Sequence, residues 1–120
     1  MEYCRDFKYD LKVGQLYEER LGEILGDTSI EVKTDFEAYR TGNVFVEYES
    51  RGKRSGIAVT QAEYYAFIIL DKCQEIRSIV LIETERLKVI ARKKLGTRYD
   101  ISGGDDNTSK GVLVKVAELL

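Results

Sequence analysis

IEVKTDFEAYRTGNVFVEYESRGKRSG, residues 30–56, contains two runs in which apolar and charged residues alternate. The runs cover residues 30–35 and 44–49, and a period of two residues is typical of a strand with one buried face. A threonine, a glycine and an asparagine just before the second run supply the residues of a turn. The sequence therefore predicts an antiparallel hairpin, which places Glu31 opposite Glu47.

The polar face of this predicted hairpin is ionic and carries Glu31, Lys33, Asp35, Glu47 and Glu49. Like charges directly opposite each other destabilise a strand pair by roughly 0.2–1 kcal/mol, so a compensating charge is expected. Lys33 is one candidate and a divalent cation is another, because Mg²⁺ binds one or two carboxylates together with waters and phosphate oxygens. A solvated face of paired charges is the commoner arrangement. Helices predicted on both sides of the hairpin should cover a small sheet, which favours a site.

The rest of the chain predicts alternating helices and strands around this hairpin. We expect a helix over 14–26, a short strand over 56–59, a helix over 60–72, a central strand over 75–83, a helix over 84–95, a loop over 96–111 and a last strand over 112–116. Thr60 and Glu63 have the spacing of a capping box, and Thr84 is a candidate cap for the following helix. The order predicts an α/β or α+β fold in which helices pack on a sheet.

The composition limits both the architecture and the chemistry. A chain of 120 residues suits one domain, 1–120. Histidine is absent, which excludes Ser-His and Cys-His nucleophiles and His-ligated zinc sites. The two cysteines lie far apart without metal-ligand spacing, so we expect reduced thiols and a cytoplasmic protein. No apolar run is long enough to span a bilayer, and no membrane association is expected.

The formal net charge of −2 gives no reason to expect a nucleic-acid partner, but the positive charges are clustered. The clusters are Arg51, Lys53 and Arg54, and then Arg92, Lys93, Lys94 and Arg98. The first cluster follows the acidic strand, and Gly52 and Gly56 allow close backbone approach, which favours phosphate contact. The second cluster fits equally well a helix C-terminus, where the helix dipole stabilises cations.

A family resemblance rests on these acidic positions. An acid on the first helix, an acid on one strand, and an acid followed two residues later by a charged residue on the next strand resemble the PD-(D/E)xK nuclease superfamily. The stretches EVKTD, TGNVFVEYESRGKRSGIAVT, AEYYAF and GGDDNTSKGVLV resemble small phage-type nucleases of that superfamily, which are similar to Holliday junction resolvases. The resemblance covers residues 14–114. It implies a restriction-endonuclease-like central mixed sheet flanked by helices.

Two alignments of the superfamily motif fit the chain. In the first, Glu31-Val32-Lys33 is the (D/E)xK tripeptide and Asp27 is the upstream acid. In the second, Asp35 is the upstream acid and residues 47–49 form the tripeptide, with Glu49 where the superfamily usually has lysine. The second alignment suits the predicted order of elements better, and Lys33 on the neighbouring strand could supply the missing positive charge.

The resemblance implies hydrolysis of branched or duplex DNA by a homodimer that uses Mg²⁺, with Mn²⁺ as a possible substitute. The implied metal ligands are Glu18, Glu31, Asp35 and Glu47. The implied catalytic residues are Lys33, Glu47 and Glu49. The implied DNA contacts are Arg51, Lys53, Arg54, Ser109 and Lys110, although the last two could instead lie in an ordinary surface loop. The alternative function is a binding module that kept the fold and lost the chemistry, for which Glu49 in place of lysine is the indication.

Overall fold

The computed structural model describes residues 12, 15–16, 19–21, 23–26 and 28–120. The described residues between 12 and 26 are helical, in agreement with the predicted first helix. The following strands are β1 (Ile30–Asp35), β2 (Asn43–Ser50), β3 (Lys53–Arg54), β4 (Tyr64–Leu70), β5 (Ile76–Glu83), β6 (Asp100–Gly103) and β7 (Ser109–Lys115). The following helices are α1 (Ala38–Thr41), α2 (Thr84–Arg92) and α3 (Val116–Leu119). No helix in the described ranges is long and apolar enough to cross a membrane.

The seven strands form two hydrogen-bonded sheets, which confirms the predicted α+β class. The first sheet has the order β1-β4-β5, with β1 parallel to β4 and β4 antiparallel to β5. The second sheet has the order β3-β2-β7-β6 and is antiparallel throughout. The strands are thus divided between two sheets that share one core.

The predicted hairpin between β1 and β2 is wrong, because the two strands belong to different sheets. Glu31 lies opposite Tyr65 of β4, and Glu47 lies opposite Gly111 of β7. Helix α1 separates the two strands and redirects the chain. Strand β2 finds a better partner in β7, where Val44 and Val46 face two further valines and bury both pairs.

The predicted helix over 60–72 is also wrong, because its apolar part forms strand β4. Tyr65, Phe67 and Ile69 are buried on one side of this strand. The hydroxyl oxygen of Thr60 accepts a hydrogen bond from the backbone N–H of Ala62, 3.2 Å away, instead of forming a capping box. The strand is favoured because β-branched and aromatic residues fit a sheet, and Tyr65, Phe67 and Ile69 bury one face of it against the core.

Smaller corrections concern element ends and positions. The predicted strand over 56–59 is a 3-10 turn, Gly56–Ala58, and the predicted central strand lies at the sheet edge as β5. Glu83, not Thr84, is the N-cap of α2, and the Thr84 side chain is buried. The predicted loop over 96–111 contains β6 and the start of β7.

One apolar cluster joins the two sheets and α2. Its largest fully buried side chains are Tyr65, Phe67, Leu87, Val44, Val46, Val112 and Val114. Helix α2 packs on this cluster through Leu87 and Ala91, which are one helical turn apart. One contiguous core is typical of a single domain.

Candidate active site

A cavity of about 200 Å³ lies where strand β1 approaches strand β2. Lys33 and Asp35 of β1 line it from one side, and Glu47 of β2 lines it from the other. Successive side chains of a strand point to opposite faces, so Lys33 and Asp35 share a face. Their register partners in β4 are Phe67 and Ile69, which are buried. The cavity therefore brings together two carboxylates and one ammonium group at the edge of the core.

Asp35 is held in place by the start of the segment that follows it. Its Oδ1 accepts hydrogen bonds from the backbone N–H groups of Glu37, at 2.9 Å, and Ala38, at 2.7 Å. Such local bonds from an aspartate to the backbone are typical of turns and helix starts. Oδ1 of Asp35 thus stabilises the chain reversal after β1.

Glu47 is positioned by the turn after β3. The Ser55 hydroxyl donates a hydrogen bond of 2.9 Å to Glu47 Oε2. Gly56 has φ +51°, and a Cβ there would overlap the carbonyl oxygen of Glu47. The register of β2 against β7 shifts between Glu47 and Glu49, and such bulges redirect side chains. Ser55 and Gly56 together fix both the carboxylate and the backbone of Glu47.

Tyr65 lines the same cavity, and its hydroxyl is buried. The side chain is 2% exposed, and within the described residues its Oη makes no hydrogen bond of normal geometry, although the Thr60 hydroxyl lies close enough to influence its pKa. Burial is the main cause that raises the pKa of Tyr65 to about 12; the negative charges of Glu31 and Glu47 add to it, and the Thr60 hydroxyl opposes it. The hydroxyl is closed to solvent, so we assign it no contact with a ligand in the cavity.

These residues fit a hydrated magnesium ion but not a metal held by protein ligands alone. Within the described residues, no three acidic or cysteine side chains lie together as a metal centre. Asp35 and Glu47 remain, and Mg²⁺ is commonly bound through one or two carboxylates, with water and phosphate oxygens filling the other positions.

The other implied metal ligands lie apart from this pair. Glu31 lines a neighbouring groove with Ser29 and Thr60, although its charge still acts on Tyr65. Glu18, and Asp27 of the first alignment, lie outside the described residues. The structure thus brings together Lys33, Asp35 and Glu47, and it leaves Glu31 at the edge of the group.

Glu49 makes an ion pair on the second sheet instead of lining the cavity. Its Oε2 lies 3.7 Å from Nζ of Lys110, and it is opposite Arg54 in the β2–β3 register. Lys110 is thus its ion-pair partner, and Arg54 is a cross-strand neighbour. The position where the superfamily usually has lysine is therefore occupied by Glu49, which forms an ion pair with Lys110.

The implied DNA contacts are distributed around the β2–β3 turn. Arg51, Lys53 and Arg54 are exposed, and Arg51 adopts φ +52° at the tip of the turn. The Arg54 guanidinium donates a hydrogen bond of 2.9 Å to the carbonyl oxygen of Ala58. Lys110 is exposed, whereas Ser109 is 7% exposed and lies inside the β6–β7 pair. The exposed cations form a surface next to Glu47 and Ser55.

Sequence reasoning missed Ser55 as a positioning residue and treated Tyr65 only as a core residue. The Ser55-Gly56 pair after the basic turn looks like an ordinary loop. No local pattern shows that the Ser55 hydroxyl reaches Glu47 on strand β2. The Tyr65 side chain is indeed in the core, and it also lines the cavity. Comparison with known protein families, with curated proteins and with solved structures gave no match to this chain.

Proposed function

We propose that the protein is a Mg²⁺-dependent DNA nuclease in which Asp35 and Glu47 hold the metal and Lys33 assists the reaction. The observation that carries this proposal is the shared cavity: an acid and a lysine of β1 meet an acid of β2 although the two strands belong to different sheets. The second motif alignment is the one adopted here, with Lys33 in place of the lysine that Glu49 replaces.

The proposed roles follow from the chemistry of each side chain. Bound at Asp35 and Glu47, Mg²⁺ would polarise the scissile phosphate and lower the pKa of a coordinated water. The Lys33 ammonium group donates hydrogen bonds to a phosphate oxygen or to the attacking water and offsets negative charge that develops on the phosphate. Ser55 holds the Glu47 carboxylate in one orientation, which reduces the cost of assembling the site.

The substrate proposed is DNA, with branched DNA preferred. The exposed cations Arg51, Lys53 and Arg54 contact phosphates near the cleavage site. A homodimer would match the two-fold symmetry of a four-way junction. The free, exposed thiol of Cys73 suits the reducing cytoplasm of a bacterial or phage-infected cell.

A second candidate function is a DNA-binding module without catalysis. The engagement of Glu49 with Lys110 favours it, as does the lack of a three-ligand metal centre within the described residues. Metal dependence separates the two candidates, because a binding module has no need of Mg²⁺.

The test is cleavage of labelled four-way junction, duplex and single-stranded DNA with Mg²⁺, with Mn²⁺ and with a chelator. We expect metal-dependent cleavage that falls by roughly 10²-fold or more in Glu47→Gln and in Lys33→Met. Glu75→Gln is the matched control, because Glu75 is an exposed glutamate in the turn before β5. Glu49→Gln should retain cleavage if the adopted alignment is right.

Two results would reject the proposal. One is a folded wild-type protein that cuts none of these substrates with either metal. The other is cleavage that survives Glu47→Gln and Lys33→Met unchanged, since the activity would then come from another site or from a contaminant. DNA binding without cleavage under any metal would support the binding module.

A further inference from the structure

A second cavity, of about 320 Å³, lies next to the candidate active site between β2, β7, the Gly56–Ala58 turn and α2. Its walls are mostly apolar and include Ile57, Ala58, Ala91, Leu95 and Val112. Ligand pockets in proteins have volumes of about 300–1,000 Å³, so this cavity can hold a small planar group. It is too apolar to be a second metal site.

Three cations surround this apolar cavity: Arg54, Lys88 and Arg92. Arg92 has no ion-pair partner in the described part of the chain, and the pair of Lys88 with Glu85 at 3.3 Å is weak because Glu85 is 81% exposed. No carboxylate lines the cavity among the residues described. An apolar pocket edged by three positive charges fits a ligand with an apolar ring and negative charge beside it.

Tyr48 adds a fixed aromatic ring to the wall. Its hydroxyl donates a hydrogen bond of 2.6 Å to Asp100 Oδ1, which also holds the ring in one orientation. Asp100 Oδ2 in turn accepts a hydrogen bond from the Gly96 backbone N–H. A preorganised aromatic side chain provides a stacking surface for a base, and such stacking tolerates any base because each has a π-face.

β2 and the Gly56–Ala58 turn contribute residues to the walls of both cavities. Glu47 and Gly56 line the candidate active site, and the next residues, Tyr48 and Ile57, line the apolar cavity. Adjacent residues of the same two segments therefore line the two cavities.

We infer that this cavity binds an unstacked nucleobase of the DNA strand, while Arg54, Lys88 and Arg92 contact the phosphates that flank it. The inference rests on the proposed function, because it takes DNA as the ligand. It names the substrate class: DNA with a base that is free to leave the stack, as in a single strand, a branch point or a flap. An enzyme that takes a base out of the stack is helped when that base is already unpaired.

The experiment measures binding without cleavage. A single-stranded oligonucleotide carrying 2-aminopurine is titrated with the protein in a chelator, and the fluorescence of the 2-aminopurine reports unstacking. We expect the fluorescence to rise at one position. Arg92→Gln should lower the slope of log affinity against log salt by about 0.7, the loss of one phosphate contact on a single strand. The control is Arg86→Gln, because Arg86 is an exposed arginine on the same helix that does not line the cavity.

A second variant fills the cavity. Ala58→Phe leaves the surface charge intact and places a ring where the base is expected, so it should abolish the fluorescence rise while the protein still binds DNA through its cations. The thermal unfolding of this variant is measured alongside. If the variant fails to fold, the Arg92→Gln and Arg86→Gln pair carries the test.

The outcomes separate the base site from the nuclease. A fluorescence rise that depends on Arg92, with no cleavage under any metal, keeps the base site and rejects only the catalytic proposal. DNA binding without any fluorescence rise, or with equal effects of Arg92→Gln and Arg86→Gln, overturns the base site. Deoxyadenosine monophosphate is added as a competitor for the labelled oligonucleotide. If it binds as tightly as the oligonucleotide does, the cavity is a site for free nucleotides, and the base site in DNA is overturned.

Discussion

Asp35 combines a structural and a proposed chemical role in one carboxylate. Its Oδ1 accepts two backbone hydrogen bonds that start the segment leading into α1, and the same side chain lines the candidate active site. A loss of activity after removing it would therefore be ambiguous, because either role could be responsible. An isosteric substitution separates them.

We predict that Asp35→Asn keeps most of the stability and loses cleavage, whereas Asp35→Ala loses both. Asparagine retains an oxygen that accepts from the N–H groups of Glu37 and Ala38, but it removes the charge that binds a metal. Alanine removes the acceptor, which should cost about 1–2 kcal/mol of unfolding free energy. Urea unfolding and the cleavage assay measure the two roles, and full activity of Asp35→Asn would contradict a metal-binding role.

Part of the candidate site could be predicted from single residues of the sequence. Lys33, Asp35 and Glu47 were selected as charged positions on alternating strands, and all three line one cavity. The pairing that was expected to join them is not the one observed, since Glu47 faces Gly111. The Ser55 contact was invisible because a hydrogen bond from a loop to a preceding strand leaves no periodic pattern.

Strand β4 shows why some elements were misread. The run YYAFIIL, residues 64–70, is apolar at every position, so the helical and strand periods fit it equally well. Its partners decide the outcome, because β1 and β5 pair with it on both sides and satisfy its backbone groups. Helix α2 was predicted with its correct start at residue 84 because a helical period and charged positions are both present there.

The Gly56–Ala58 turn is the element that holds β2 against the candidate site, and its glycine can be tested. Gly52 and Gly56 both have positive φ, +78° and +51°, but only Gly56 would place a Cβ against the Glu47 carbonyl. Gly52→Ala should cost about 1–2 kcal/mol from the strained backbone alone. We predict that Gly56→Ala costs clearly more, because overlap with Glu47 adds to the same strain.

Denaturant unfolding of the two alanine variants measures this difference directly. Gly56→Ala should also reduce cleavage in the fraction that stays folded, because Glu47 would have to shift. Equal unfolding free energies for Gly52→Ala and Gly56→Ala would show that the turn relaxes without disturbing β2.

At the scale of the whole molecule, an ion pair connects helix α3 to the segment that follows α2. Lys94 Nζ lies 2.7 Å from Glu118 Oε1, with side-chain exposures of 17% and 33%. The hydrogen bond from Lys94 lowers the pKa of Glu118 below its ordinary value of 4.5. A lowered carboxyl pKa stabilises the folded state above the unfolded pKa, and this stability is lost as the pH falls through the folded pKa.

We predict that Glu118→Gln destabilises the protein by about 1 kcal/mol at pH 7 and that the difference disappears at acid pH. Protonation of Glu118 in the wild type, at a pH below 4.5, removes the same charge that the substitution removes. Thermal unfolding between pH 7 and pH 3 measures the convergence. Glu85→Gln is the control, because Glu85 pairs with Lys88 at 81% exposure and should show little effect at any pH.

The sequence by itself determined the α+β class, the positions of β1, β2, β5 and α2, and the clustering of charge on β1 and β2. These follow from local periodicity, since the residues of one strand or helix face are set by their spacing. Only the tertiary structure decided which strands pair, that residues 64–70 form a strand, and that Ser55, Gly56 and Tyr65 surround Glu47. Which strands pair depends on the burial of side chains that are far apart in the chain. The local sequence pattern does not show which pairing buries them best.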